Sequence, residues 1–277
     1  MPHILVIANE TIAGAALLKT VRERAAQPDT TFSLVVPMTK PRSGLVIYDE
    51  AVRDAAQVRV DLALSYLRGE GITATGEVGD EDPFTAAMDA VHEYRPDEIV
   101  VSTLPAASSG WLRRDLVERI QDAAADIPVT HVISDVDAEG LPFTVTLVVA
   151  NQTVTTETLL RRMKEKAAET EDQLFIVVVP QTQGDGRAAA QARARLGNML
   201  DKMRREGLLI AGMIGDPDPF DATMNALQFY KVDSVIISTL PVQRSRWLRA
   251  DLVSRVRKAS NIEVEHIVAE HEPAEAS

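Results

Sequence analysis

The chain carries the same short motifs twice, in the same order, and this repeat constrains its fold more than any other feature. The paired motifs are ANET at 8–11 with ANQT at 150–153, VVP at 35–37 with VVP at 178–180, GDEDPF at 79–84 with GDPDPF at 215–220, and STLP at 102–105 with STLP at 238–241. The second copy follows the first by 142 residues at Asn9 but by 136 residues at Gly79, so the first copy is longer, near the basic residues Lys40 and Arg42. A repeat of this length indicates a whole domain duplicated in tandem.

Each copy alternates short apolar runs with amphipathic stretches. In the first copy the predicted strands are 3–8, 32–36, 72–78, 98–102 and 129–133, and the predicted helices lie near 12–26, 46–69, 83–94 and 110–124. The runs are rich in Val and Ile and contain few polar residues, which is typical of parallel strands covered on both faces. We therefore predict an α/β fold with two tandem, doubly wound, five-stranded parallel sheets. The predicted domains are 1–136 and 142–269, followed by a disordered tail at 270–277.

Composition excludes several classes of protein. With 45% apolar residues in 277, the chain can bury a substantial core, and its net charge of -12 argues against nucleic acid or an anionic membrane as a partner. It has no cysteine, its five histidines show no metal-ligand spacing, and no apolar run reaches the roughly 18 residues of a membrane span. The N-terminus lacks the charged region and the long apolar run of a signal peptide, so we expect a soluble cytoplasmic protein.

Candidate site residues follow the predicted strands, because open parallel sheets bind ligands beyond the carboxyl ends of their strands. In the first copy the candidate ligand-binding residues are Ala8, Asn9, Glu10, Thr11, Pro37, Gly79, Asp80, Ser102, Thr103, Leu104, Ser109 and Arg113. In the second copy they are Ala150, Asn151, Thr153, Pro180, Gly215, Asp216, Ser238, Thr239, Leu240, Ser245 and Arg249. No catalytic or metal-binding residue is predicted.

Several of these residues also fit roles in helix capping. Asn9 and Asn151 are equally well explained as helix N-caps. The GDxDPF motif is better explained as a turn into a helix, with Asp82 as the N-cap and Pro83 in the first turn.

The fourth helix of each copy offers similar alternatives. Ser109 and Ser245 fit its N-cap, and the tryptophans that follow, at 111 and 247, fit the core or the edge of the cleft. Arg113 and Arg249 are explained either by anion binding or by an ion pair with Asp, which we favour.

Both halves resemble the universal stress protein domain in length and layout, through the run DEIVVS at 97–102 and the final strand PVTHV at 128–132. The resemblance implies the strand order 3-2-1-4-5 and a dimer built on the fifth strands. Here the two halves would supply that pairing within one chain, between 129–133 and 264–268, and a further homodimer is possible. His131 and His266 would then be interface residues.

The ATP-binding members of that family carry phosphate-binding glycines after the fourth strand, and both copies depart from this pattern in the same way. The family's glycine positions are occupied by Ser102, Pro105 and Asp115-Leu116 in the first copy and by Ser238, Pro241 and Asp251-Leu252 in the second, and the family's strand-one Asp is Asn9 and Asn151. Proline has no N–H to donate and Asp repels phosphate, so we expect an altered or lost nucleotide site in each half, with ATP or AMP as possible ligands.

The function expected from the sequence is that of a non-catalytic stress-response or regulatory protein. One alternative is an adenine-nucleotide-binding protein with weak hydrolase activity, although Glu10 becomes Gln152 and cannot be a base shared by both halves. The other alternative is a scaffold without a ligand.

Overall fold

The computed structural model describes residues 1–38, 49–106, 109–111, 115–170, 172–181, 186–241, 245, 247 and 251–269. These residues form two compact units, and the chain passes from the first to the second between Pro142 and Phe143. Lys40 and Arg42 and the predicted tail at 270–277 lie outside the described residues.

The first unit is one five-stranded sheet with helices between its strands. Its elements are β1 (His3–Ile7), α1 (Ala15–Ala25), β2 (Thr31–Pro37), α2 (Asp49–Gly69), β3 (Ala74–Gly79), α3 (Pro83–Tyr94), β4 (Glu98–Thr103), α4 (Leu116–Ala123) and β5 (Val129–Ile133), followed by the short α5 (Val136–Glu139). All pairings are parallel and the order is β3-β2-β1-β4-β5.

The second unit repeats this architecture. Its elements are β6 (Thr144–Val149), α6 (Glu157–Glu169), β7 (Gln173–Pro180), α7 (Gly186–Arg205), β8 (Leu209–Gly215), α8 (Pro219–Phe229), β9 (Ser234–Thr239), α9 (Leu252–Ser260) and β10 (Glu263–Val268). The parallel order β8-β7-β6-β9-β10 is the same arrangement as in the first unit. The predicted fold class and strand order are confirmed.

The apolar runs are buried because helices cover both faces of each sheet. Leu5, Ile7 and Val101 lie fully buried in the first core, and Phe175 and Ile236 do so in the second. Within the described ranges, none of the helices combines the length and apolar character that a bilayer crossing requires.

The predicted start of the fourth helix was wrong in the first half. It begins at Leu116, not near 110, and Asp115 occupies the N-cap position, so the assignment of Ser109 as this N-cap is corrected. In the second half α9 begins at Leu252, but Trp247 is also helical and the residues on both sides of it lie outside the described residues, so the assignment of Ser245 stays a prediction. The backbone N–H groups of Ser109 and Ser245 donate to the carbonyls of the prolines four residues earlier, at 2.8 and 3.0 Å.

One ion pair ties the first helix of each half to its sheet, but at different strands. In the first half the Arg24 guanidinium makes two 2.9 Å bonds to the Glu98 carboxylate on β4, and Thr130 on β5 donates to the same carboxylate at 2.7 Å. These bonds, above all that of Arg24, hold the pKa of Glu98 below its ordinary value, against its burial. In the second half Arg162 pairs with Glu265 on β10 at 2.6 Å, and the strand position of Glu98 is occupied by Ser234.

Candidate functional site

The candidate site of each half lies where the strand order reverses, at the carboxyl ends of β1 and β4 and of β6 and β9. Thr11, in the loop after β1, donates its hydroxyl to the Ser102 carbonyl at 3.1 Å. Thr153, after β6, donates to the Ser238 carbonyl at the same distance. These four residues are buried, so the loop and the strand end are joined in the same way in both halves.

A second contact found in both halves reaches the edge strand. The Thr103 hydroxyl lies 2.9 Å from Nε2 of His131, and the Thr239 hydroxyl lies 2.9 Å from Nε2 of His266. Burial lowers the pKa of both imidazoles, and the positive charge of Arg257 lowers that of His266 further. The interface role predicted for these histidines stays a prediction, because this contact lies within each half.

Asn9 and Asn151 are not helix N-caps. Those positions belong to Gly14 and Thr156, so this alternative is corrected. Asn9 is buried, and its Oδ1 accepts a hydrogen bond of 2.9 Å from Nη1 of Arg59 on α2. Asn151 is half-buried, and its Nδ2 donates to the Pro180 carbonyl at a longer 3.4 Å.

Arg59 was missed in the sequence, although a signal for it exists. It lies between the buried residues Val58 and Val60 and is itself only 9% exposed. A second arginine, Arg195, follows it by 136 residues, the spacing of the Gly-Asp motifs. The side chain of Arg195 lies outside the described residues. Arg59 is thus a buried cation that reaches Asn9 at the crevice beyond the ends of β1 and β4, and an arginine recurs at the matching sequence position of the second copy.

Ser102 and Ser238 mark a difference between the halves. Ser102 Oγ lies 3.4 Å from Oγ of Ser134, the residue after β5. Ser238 Oγ is buried and has no hydrogen-bond partner among the described residues.

The GDxDPF segment builds the start of a helix. The Asp82 carboxylate accepts from Thr85 N at 3.0 Å, and Asp218 accepts from Phe220 N at 2.7 Å, so the capping interpretation is confirmed. Asp80 and Asp216 accept the backbone N–H of those capping residues, at 2.8 and 2.9 Å.

This acidic cluster also affects the side chain that follows it in the second half. Burial raises the pKa of the Asp221 carboxyl, and the nearby carboxylates of Asp218 and Asp216 raise it further.

Gly79 and Gly215 are required by helix packing. A Cβ at Gly79 would lie 2.7 Å from Cβ of Ala86, and a Cβ at Gly215 would lie 2.7 Å from Cβ of Ala222. The elements that approach these two glycines closely are α3 and α8.

The segment before the fourth helix keeps an unusual backbone. Asp115 and Asp251 have φ of 50° and 51°, in the left-handed region, and neither side chain caps its helix. This is a conformation that glycine adopts without strain and that Asp tolerates better than most residues. Trp111 is half-buried against the first core, and Trp247 is also half-buried. Arg113 and Arg249 lie outside the described residues.

The remaining predicted residues lie at or next to the strand ends. Ala8, Ala150, Pro37 and Pro180 are buried at strand ends, Leu104 and Leu240 are half-buried, and Glu10 is exposed. Among the residues that the structure describes, no group of three or more His, Asp or Glu side chains could hold a metal ion.

Comparison with known proteins yields solved structures only. No protein-family model matches the chain, and no curated protein matches it. A universal stress protein family protein from Arabidopsis thaliana with AMP bound is 14% identical, with a TM-score of 0.35 over 50% of this chain and 95% of that chain. A universal stress protein from Archaeoglobus fulgidus is 12% identical, with a TM-score of 0.38 over 98% of this chain and 97% of that chain.

A third similar structure is a functionally unknown protein from Pseudomonas aeruginosa. It is 16% identical, with a TM-score of 0.31 over 97% of this chain and 93% of that chain. The resemblance to universal stress proteins is confirmed as a similarity to solved structures, and at these identities it concerns the fold alone.

Proposed function

We propose that the protein is a non-catalytic regulatory protein of the stress-response type, which holds a small nucleotide-type ligand at its strand-end crevices. The observation that carries this proposal is the repetition of one polar arrangement at both switch points. Thr11 and Thr153 bind the carbonyls of Ser102 and Ser238, and each fourth strand ends in a threonine bonded to an imidazole. Packing alone does not require two matching sets of hydroxyl groups at the end of a sheet where ligands bind.

Binding of such a ligand would differ from phosphate binding by a glycine-rich loop. Pro105 and Pro241 have no N–H to offer a phosphate, and the carboxylates of Asp115 and Asp251 stand at the start of the fourth helix, where they disfavour an anion. Among the described residues, recognition would therefore use hydroxyl and amide groups, with the Arg59 guanidinium beside Asn9 in the first half. Hydroxyl and amide groups suit the sugar and base of a nucleotide better than its phosphates.

The proposal of a non-catalytic role is supported by the difference between the halves at Glu10. The Glu10 carboxylate is exposed, and Gln152 replaces it in the second half. This position therefore cannot supply a general base in both halves.

Calorimetric titration with AMP and ATP tests both parts of the proposal, because a solved structure similar to one half contains AMP. We expect saturable binding, weakened in a Thr103→Ala/Thr239→Ala variant and preserved in Thr20→Ala, whose hydroxyl bonds only within α1. A flat titration with both nucleotides would overturn the ligand. Release of ADP and phosphate from ATP above the uncatalysed rate would overturn the non-catalytic role.

Pairing of the fifth strands is also proposed. β5 and β10 are edge strands, and they carry two large apolar side chains that are strongly exposed, Ile133 at 52% and Val268 at 44%. Exposed apolar residues on an unpaired edge favour association with another strand.

A further inference from the structure

The two halves are matched at the switch point by their backbone hydrogen bonds. Ser134 N donates to the Thr103 carbonyl at 2.9 Å, and Ala269 N donates to the Thr239 carbonyl at 2.8 Å. Ala269 therefore stands where Ser134 stands in the first half.

The start of the first helix is matched in the same way. Gly14 N donates to the Thr11 carbonyl at 2.8 Å, and Thr156 N donates to the Thr153 carbonyl at 3.1 Å. A small residue and a hydroxyl residue have thus changed places: Thr156 stands where Gly14 stands in the first half, and Ala269 stands where Ser134 stands.

The first half is closed by its own side chains. A Cβ at Gly14 would lie 2.7 Å from Ser134 Cβ, so Ser134 fills the space beside this glycine. Its hydroxyl also faces that of Ser102, at 3.4 Å. Asn9 Oδ1, in the side chain, accepts a hydrogen bond from Arg59 Nη1, and both residues are buried.

The second half leaves a hydroxyl without a partner at the same place. Ala269 has no hydroxyl, and Ser238 Oγ, in a residue only 1% exposed, finds no hydrogen-bond partner in the part of the chain that the structure describes. Ser238 lies at the crevice, because its carbonyl accepts from Thr153 and the strand register places Ile237, the residue before it, beside Val149. A buried hydroxyl with no partner is unfavourable, and an incoming polar group would relieve this.

We infer that the second half is the ligand-binding half of the molecule, and that the Ser238 hydroxyl is a specificity contact to a hydroxyl or carbonyl oxygen of the ligand. In the first half Ser134 faces the hydroxyl of Ser102 and takes the place that such a ligand group would occupy. This inference rests on the proposed function, because it assigns the nucleotide-type ligand to one of two related crevices.

Calorimetry with AMP as the probe tests the assignment. The wild-type chain is expected to bind one AMP, and Ser238→Ala is expected to weaken binding by about tenfold or more, because one buried hydrogen bond is lost. Ser33→Ala is the matched control, since Ser33 is also a buried strand serine but bonds to Thr75 on β3. It should bind AMP as the wild type does.

An exchange variant tests the physical cause. Thr156→Gly with Ala269→Ser gives the second half the pair found in the first, so the new serine faces Ser238 and AMP binding should fall as in Ser238→Ala. Both changes are needed, because a serine at 269 beside Thr156 would meet the crowding seen at Gly14. Thermal unfolding shows whether the variant folds, and Ser238→Ala carries the test if it does not.

The outcomes separate this inference from the proposed function. The inference would be overturned if the chain binds two AMP molecules. It would also be overturned if Ser238→Ala binds AMP with unchanged affinity, as expected when an ordered water alone satisfies the hydroxyl. Either result leaves the proposed function standing. If the wild-type chain binds neither AMP nor ATP, the proposed function fails and this inference fails with it.

Discussion

At the scale of single residues, each half holds an imidazole against the hydroxyl at the end of its fourth strand. His131 and His266 are partly buried, and their burial favours the neutral ring. The contact to Thr103 or Thr239 is kept by the neutral ring, whose Nε2 can accept the threonine proton or donate its own.

The stability of the fold should therefore depend on these two rings. A histidine whose pKa is lowered on folding binds more protons when it is unfolded. Its effect is absent above the ordinary pKa of about 6.5, where the free energy of unfolding is highest. Below that pH the free energy of unfolding falls, and it levels off below the folded-state pKa. Urea unfolding between pH 5 and pH 8 measures this dependence. We expect it to flatten in His131→Gln/His266→Gln.

His92→Gln is the control for that measurement, because His92 lies in the last turn of α3 and not against a strand-end threonine. This variant should keep the wild-type dependence on pH. A double variant that loses stability with acid as steeply as the wild type would contradict the role of the two rings.

Single residues also show why only part of the site could be predicted from the sequence. Asp82 was correctly identified as a cap, because capping depends on residues two or three positions away in the chain. The bond from Arg59 to Asn9 joins residues 50 positions apart, and it depends on how α2 is rotated on the sheet. Local pattern does not fix that rotation, so Asn9 could be placed at the crevice but its partner could not be identified.

At the scale of elements, the glycine that ends the third strand of each half sets the distance between that strand and the next helix. Gly79 and Gly215 face the alanines of α3 and α8, and the contacts that a side chain would make are too short for either element to keep its position.

Gly79→Ala and Gly215→Ala are each expected to lower the free energy of unfolding by about 1–3 kcal/mol, because overpacking forces the helix away from the sheet. Gly197→Ala is the control, since Gly197 lies in α7 with no atom within 4 Å of the added Cβ. It should raise stability by about 0.5–1 kcal/mol through helix propensity. Urea unfolding measures all three, and a neutral Gly79→Ala would contradict the packing account.

Strands could be predicted more reliably than helix starts, and the reason is physical. Burial on both faces requires an apolar run, so β4 and β5 were found with at most one residue of error. The start of α4 depends on the left-handed backbone of Asp115, and the amphipathic pattern from 110 onward gives no sign that the chain turns there first.

At the scale of the whole molecule, the duplication gives the chain two copies of the same exposed edge. β5 and β10 each end one sheet, and each presents one apolar side chain at the same place, Ile133 and Val268. Such an edge favours association with another strand.

Hydrogen exchange can test whether these edges are paired. Backbone N–H groups of β5 and β10 that point away from their own sheets should exchange as slowly as those of central strands, because they bond to another strand. Ile133→Lys/Val268→Lys should release them, since two added charges disfavour the pairing.

The opposite edges, β3 and β8, are the internal control and should be unaffected by that variant. Molecular mass in solution then separates pairing within one chain from pairing between chains. Fast exchange on β5 and β10 in the wild type would contradict pairing of either kind.

The ion pairs between the first helix and the sheet bear on how the two halves have diverged. The acidic partner is Glu98 on β4 in the first half and Glu265 on β10 in the second. The basic partner has moved as well, because Arg162 lies one helical turn before the position that corresponds to Arg24. Both members of the ion pair have thus changed position between the halves, and each sheet still has one carboxylate paired with an arginine of its first helix. A hybrid domain that took its helix from one half and its strands from the other would combine mismatched positions and leave a partly buried charge unpaired, so the halves are no longer interchangeable piece by piece.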